Sequence, residues 1–144
     1  MDQTLRTVGE GAVTGMPRLL LRLEGFTVLV VALLVYLWNG GDWWFFVLML
    51  LVPDLSMAGY LAGPRIGAGL YNAAHTYLVP AALSGAGLVL DLPPLTFLAV
   101  VWLAHIGLDR ALGFGLKYGT GFADTHLGRL SGGARRAGSE RSAD

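Results

Sequence analysis

The run PRLLLRLEGFTVLVVALLVYLW, residues 17–38, decides the class of this chain. At about 1.5 Å of rise per residue, an α-helix of that length crosses a hydrocarbon core about 30 Å thick. The apolar run is longer than the core of a secretory signal, and no small-residue cleavage pattern follows it. It is therefore expected to remain as a helix.

Three further stretches of spanning length follow, at residues 42–62, 66–90 and 94–113. Asn39-Gly40-Gly41 is turn material, and Trp38, Trp43 and Trp44 beside it are the amphipathic rings of a membrane interface. Gly63-Pro64-Arg65 and Asp91-Leu92-Pro93-Pro94 break the later helices from one another. Such short connections make sequential helices antiparallel neighbours. Composition agrees, because 54% of the 144 residues are hydrophobic and only 14% are charged, against about a quarter charged in an ordinary soluble domain. With no cysteine, disulfides, thiolate metal sites, iron–sulfur clusters and cysteine nucleophiles are excluded.

The net charge of zero hides an asymmetry. All ten Lys and Arg residues fall on one side of a four-span chain: Arg6, Arg18 and Arg22 before or in the opening of the first helix, Arg65 in the second connection, and Arg110, Lys117, Arg129, Arg135, Arg136 and Arg141 at or after the end of the fourth. The positive-inside rule makes that side cytoplasmic. The expected fold is thus all-α: an integral four-helix bundle of the inner (plasma) membrane with both termini cytoplasmic. Residues 1–16 read as an N-terminal cytoplasmic segment, 17–118 as the transmembrane domain and 119–130 as a cytoplasmic loop or lid. Residues 131–144, rich in Gly, Ser, Arg and Ala, read as a disordered tail.

Ionisable residues inside the spans carry the functional signal. Glu24, Asp54, His75 and His105 each lie about two helical turns from the cytoplasmic end of their own span. Asp109 follows His105 at i+4, on the same helical face, and Tyr71 and Asn72 precede His75 at i+4 and i+3. A carboxylate at the bilayer centre costs about 2.5 to 3.5 kcal/mol on insertion scales, so these side chains are expected to converge in the interior. There each must be protonated, paired or bound to a metal.

Two imidazoles and two or three carboxylates match the sites that helix bundles build for divalent zinc, manganese or iron. Metal ligands are expected at Asp54, His75, His105 and Asp109, and catalytic groups at Glu24, Asp54, Asp109 and His126. Tyr60, Tyr71, Asn72 and Asp124 would orient or bind substrate. No H-E-x-x-H or D-x-D string is present, so the signal is one of shared depth. The glycine-rich segment from Gly113 to Gly121 could approach an anionic ligand with its backbone amides, though it fits neither G-x-G-x-x-G nor a P-loop. Asp124 and His126 follow it and could close the site; otherwise Asp124 caps a solvated loop.

Several strings carry a resemblance: Leu21-Arg22-Leu23-Glu24-Gly25, Pro53-Asp54-Leu55-Ser56-Met57 with Gly59-Tyr60, Tyr71-Asn72 with His75-Thr76-Tyr77, His105-Ile106-Gly107-Leu108-Asp109-Arg110, and Gly121-Phe122 with Asp124-Thr125-His126. Together they resemble a bacterial family of small multi-pass membrane proteins known as a domain of unknown function, over roughly residues 18–128. The resemblance implies a small multi-pass protein and brings no activity. A looser similarity, in residue types alone, is to small membrane-bound metal-dependent hydrolases.

The reading that follows is a cytoplasm-facing metal-dependent site, hydrolytic toward a lipid-like substrate, with the lipid bilayer as partner and no nucleic acid. The alternatives are an ion, proton or small-solute transporter, as a homo-oligomer; haem ligation by His75 and His105; and a structural network in which Arg22 or Arg110 neutralises the carboxylates. No lysine lies deep in a span, which argues against a retinal Schiff base.

Overall fold

The computed structural model describes residues 11–129; the tail at 131–144 and residues 1–10 of the N-terminal segment lie outside the described residues. In chain order the elements are α1 (Gly15–Trp38), α2 (Trp43–Leu50), a 3-10 helix (Val52–Ala62), α3 (Pro64–Ala74), α4 (Leu78–Val89), α5 (Pro93–Leu112), and a short antiparallel hairpin of β1 (Asp124–Thr125) and β2 (Gly128–Arg129). The chain is mostly helical, and three stretches are long and apolar enough to cross a membrane: Gly15–Trp38, Trp43–Ala62 and Pro93–Leu112.

The expected third span, 66–90, is not one helix. It breaks at His75-Thr76-Tyr77 into α3 and α4. Pro80 supplies a reason: a continuous helix would need an N–H that proline lacks, and its ring would meet the Thr76 carbonyl. The break frees backbone carbonyls, and α5 takes them up. Trp102 Nε1 donates to the Ala74 carbonyl at 2.7 Å and Arg110 Nη2 to that of His75 at 3.1 Å. The second span also changes character at a proline. The α-helical form ends at Leu50, just before Pro53, and an 11-residue 3-10 helix carries the chain on. Runs of 3-10 helix longer than about four residues are uncommon, because the hydrogen-bond geometry is poorer.

Packing divides the molecule into two halves. In one, α1 lies along α5 at nearly backbone distance. A Cβ added to Gly25 would come 2.9 Å from the Gly107 carbonyl oxygen, and one added to Gly107 would come 2.7 Å from that of Gly25. Small residues permit this close crossing. Towards the other end of the same pair, Ala32, Tyr36, Phe46, Val101 and Ala104 form the apolar core, and the Tyr36 ring meets Phe97 edge-on at 5.3 Å. Tyr36 also donates its hydroxyl to the Asp42 carbonyl at 2.8 Å, while the Asp42 carboxylate caps α2 by accepting from Phe45 N at 2.8 Å.

In the other half α3 packs on the 3-10 helix, and α4 packs on α5. Gly67 gives the Tyr60 ring the space that a side chain would fill. The outer surface is apolar: Trp38 is 92% and Leu61 94% exposed, as lipid-facing groups are.

Gly113, in the left-handed conformation at φ 96°, ends α5. The following segment folds back along the bundle. Val13 N donates to the His126 carbonyl at 2.8 Å, and the Asn72 amide grips the backbone of Lys117 from both sides, donating to its carbonyl at 2.8 Å and accepting its N–H at 2.7 Å.

Candidate metal centre

Four side chains from three elements meet at one point. Asp54 comes from the first turn of the 3-10 helix, His75 from the position that ends α3, and His105 and Asp109 from successive turns of α5. One ligand atom of each lies within 4.8 Å of all the others. His75 Nε2 is 3.4 Å from Asp54 Oδ1 and 3.4 Å from Asp109 Oδ2. His105 Nε2 is 3.5 Å from Asp54 Oδ1, 3.7 Å from Asp109 Oδ2 and 3.0 Å from His75 Nε2. Ligand atoms that share one ion at bonds of about 2.1 Å lie about 3.0 to 3.4 Å from their neighbours, so these five separations suit a common ion.

The surroundings fix how the donors face. His75 Nδ1 lies 2.8 Å from the Tyr71 carbonyl. A carbonyl only accepts, so Nδ1 carries the proton and Nε2 of the neutral ring turns a lone pair toward the two carboxylates. Tyr71 acts twice, because its hydroxyl also donates to Asp109 Oδ2 at 3.1 Å, the same oxygen that faces the histidines. Its ring stacks on the His75 imidazole at 3.7 Å. Outer contacts of this kind hold a metal-binding histidine in one tautomer and one orientation. His75 and His105 are buried at 1% and 3% exposure, so lone pairs and carboxylate oxygens crowd together with Asp54 alone of the four well open to solvent. A cation relieves that repulsion; a divalent one balances both carboxylates.

The residues expected at the site divide accordingly. Asp54, His75, His105 and Asp109 come together, and Tyr71 supports two of them. Glu24 stays outside: it is exposed on α1, because the neighbouring Gly25 is the face pressed on α5. Asn72 serves the backbone of Lys117 rather than the four ligands. Asp124 accepts from Thr120 Oγ1 at 2.9 Å and faces Arg129 Nε at 3.4 Å. His126 Nδ1 accepts the Leu116 N–H at 2.8 Å, and burial together with the Arg110 charge holds its imidazole below the usual range. Both belong to the returning hairpin. Tyr60 meets Phe122 edge-on at 5.2 Å, and its hydroxyl is buried with no partner among the described residues. Haem ligation fits poorly: nitrogens on opposite sides of one iron stand about 4 Å apart, twice a metal–nitrogen bond, whereas His75 and His105 are at 3.0 Å with carboxylates alongside.

Sequence reasoning missed the roles of Trp102 and Lys117, and it read Arg110 as a partner for carboxylates, whereas Arg110 donates to the backbone carbonyls of His75 and Phe114. Trp102 and Arg110 hold the broken third span in place. Their signal was their spacing on α5, flanking His105 and Asp109. Lys117 was read only as a basic marker of sidedness, yet it is 4% exposed, with its ammonium 3.2 Å from the Phe122 ring centre and 4.5 Å from that of Tyr71. Burial holds it below the usual lysine range, opposed by the charges of Asp109 and Asp54.

No curated protein and no solved structure matches this chain. The segment that builds the bundle, the four converging ligands and the returning hairpin is nevertheless a recognised unit: the family model described as Domain of unknown function (DUF4260) matches residues 18–130, and the chain belongs to that family.

Proposed function

We propose that this protein is an integral membrane metalloenzyme, a bundle with both termini in the cytoplasm, that holds one divalent ion between Asp54, His75, His105 and Asp109 and hydrolyses a lipid-like ester. The observation that carries the reading is the convergence of four ligand atoms within 4.8 Å of one another, with His75 locked by the Tyr71 carbonyl. A bound divalent ion there supplies Lewis acidity, polarising an ester or phosphoryl oxygen and acidifying water. Two imidazoles with two carboxylates suit manganese, iron or zinc. Water and substrate would reach an ion held there from the side of Asp54, the least buried of the four. Asp54 is the ligand on the open side, its side chain 37% exposed.

In hydrolysis the oxygen of water bonds to the ester centre, the bond to the leaving oxygen breaks, and one proton of the water ends on that oxygen. In this scheme Asp54, the most exposed of the four, would take that proton from water and pass it to the leaving oxygen. The interruption at His75-Thr76-Tyr77 favours a second reading as a transporter, since discontinuous helices also build ion sites at mid-membrane.

Elemental analysis of the full chain purified in mild detergent tests the metal. The expectation is about one ion per chain, lost in His75→Ala and His105→Ala and weakened about tenfold or more in Asp109→Asn. A wild-type chain that carries no stoichiometric ion and binds none on titration refutes the reading. Ester hydrolysis against ion flux in proteoliposomes, measured on the same loaded preparation, separates enzyme from transporter.

A further inference from the structure

The Lys117 ammonium lies in the interior of the described structure, the residue being 4% exposed. Among the described residues no carboxylate reaches it within ion-pair distance. Its ammonium rests instead on ring faces, those of Phe122 at 3.2 Å, Tyr71 at 4.5 Å and Tyr60 at 5.5 Å. Ring faces attract the charge but are poor acceptors for its three N–H donors. The position is nevertheless tightly set, because Asn72 of α3 holds the Lys117 backbone from both sides, one turn from His75. Tyr71 joins the two places, with its ring under the ammonium and its hydroxyl on Asp109.

A second observation points the same way. The Tyr60 hydroxyl, on a ring of the same cage, is buried without a partner among the described residues, as is that of Ser56 on the same 3-10 helix. Buried polar groups left unpaired are costly, so they mark where a ligand or water supplies the missing bond.

The charge balance chooses the ligand. A divalent ion with Asp54 and Asp109 sums to zero, which leaves Lys117 without an ion-pair partner among the described residues. The nearby surface is basic as well: the Arg18 guanidinium lies against Gly128, Arg65 lies against Gly119, and Arg22 Nε donates to the Ala111 carbonyl at 2.8 Å. Asp124, the acid of the hairpin, is already engaged by Arg129.

Resting on the metal reading above, we propose that the substrate of this centre carries a phosphate group, bound between the ion and the Lys117 ammonium with the Tyr60 hydroxyl as a further donor. A phosphate offers enough oxygens for all three partners at once, and lysine serves it as a point charge. The same group could arrive as a lipid headgroup or as a free phosphate.

The test uses the full chain in phosphatidylcholine nanodiscs, loaded with Mn2+, and equilibrium dialysis of radiolabelled inorganic phosphate. Dihexanoyl phosphatidic acid serves as competitor and dihexanoyl phosphatidylcholine as comparator. Saturable phosphate binding is expected at one per loaded chain, weakened about tenfold or more in Lys117→Met and within about threefold of wild type in Lys117→Arg, with Mn2+ content unchanged in both. Competition by phosphatidic acid well below the phosphate concentration identifies the headgroup as the source; competition only at equal concentration identifies free phosphate. Without any substitution, phosphate should slow reductive methylation of Lys117, read by mass spectrometry, so the result survives a Lys117→Met chain that fails to fold. Mn2+ uptake with binding of neither phosphate nor phosphatidic acid overturns this inference alone, as does Lys117→Met binding phosphate like wild type. A chain that takes up no Mn2+ overturns the metal reading and this inference together.

Discussion

The pair α1 and α5 and the stretch from the 3-10 helix through α4 are built on opposite principles. The first is two long, uninterrupted helices that touch backbone to backbone at Gly25 and Gly107 and share an apolar core around Tyr36. The second is a succession of short pieces, broken at Pro53, Gly63 and His75, whose free backbone groups are held by side chains from α5. A metal site needs ligands from several directions at fixed angles, and here both halves contribute them. The interrupted half supplies Asp54 and His75, and the rigid half supplies His105 and Asp109. The comparison teaches a division of labour: one half sets a frame, and the other spends helical regularity to aim side chains.

The sharpest way to break that contrast is to overpack the frame. Gly107→Val places methyl groups against the α1 backbone, which cannot step aside as a side chain could, and is expected to cost about 3 kcal/mol or more. Thermal melting in detergent should show loss of the cooperative transition; a chain melting like wild type would mean that α1 and α5 do not approach as described.

The interrupted half should answer to its supports in graded fashion. Arg110→Met leaves the His75 and Phe114 carbonyls without their donor, an expected loss of about 2 kcal/mol. Trp102→Phe removes one bond to Ala74 at an expected loss of about 1 kcal/mol. Both should speed amide hydrogen exchange in α3 and α4 more than in α1. Equal acceleration throughout would dissolve the distinction between the halves.

The smallest effect is expected at Glu24. Being exposed and outside the ligand group, Glu24→Gln should change stability by less than about 0.5 kcal/mol and leave metal content untouched. Loss of metal in that variant would bring Glu24 back into the site.

Much of this architecture was legible in the sequence because it depends on one coordinate, position along a helix. The apolar runs, the prolines and glycines that end them, and the i+4 pair His105 and Asp109 all follow from a rise of about 1.5 Å per residue. Matched depth singled out Asp54, His75 and His105 for the same reason. It also singled out Glu24, and there it failed, because depth says nothing about rotation about the helix axis. Rotation is set by the neighbour: once Gly25 packs on Gly107, Glu24 must face elsewhere. The break at His75 was hidden similarly. Pro80 within an apolar run marks a strained point, but whether the helix kinks or parts depends on donors elsewhere in the fold to receive the freed carbonyls, and here Trp102 and Arg110 provide them. Lys117 looked like one more surface cation because its burial comes largely from Tyr71 and the Asn72 amide, partners on α3 that only the folded backbone brings to it, with Phe122 closing over it from the same returning segment.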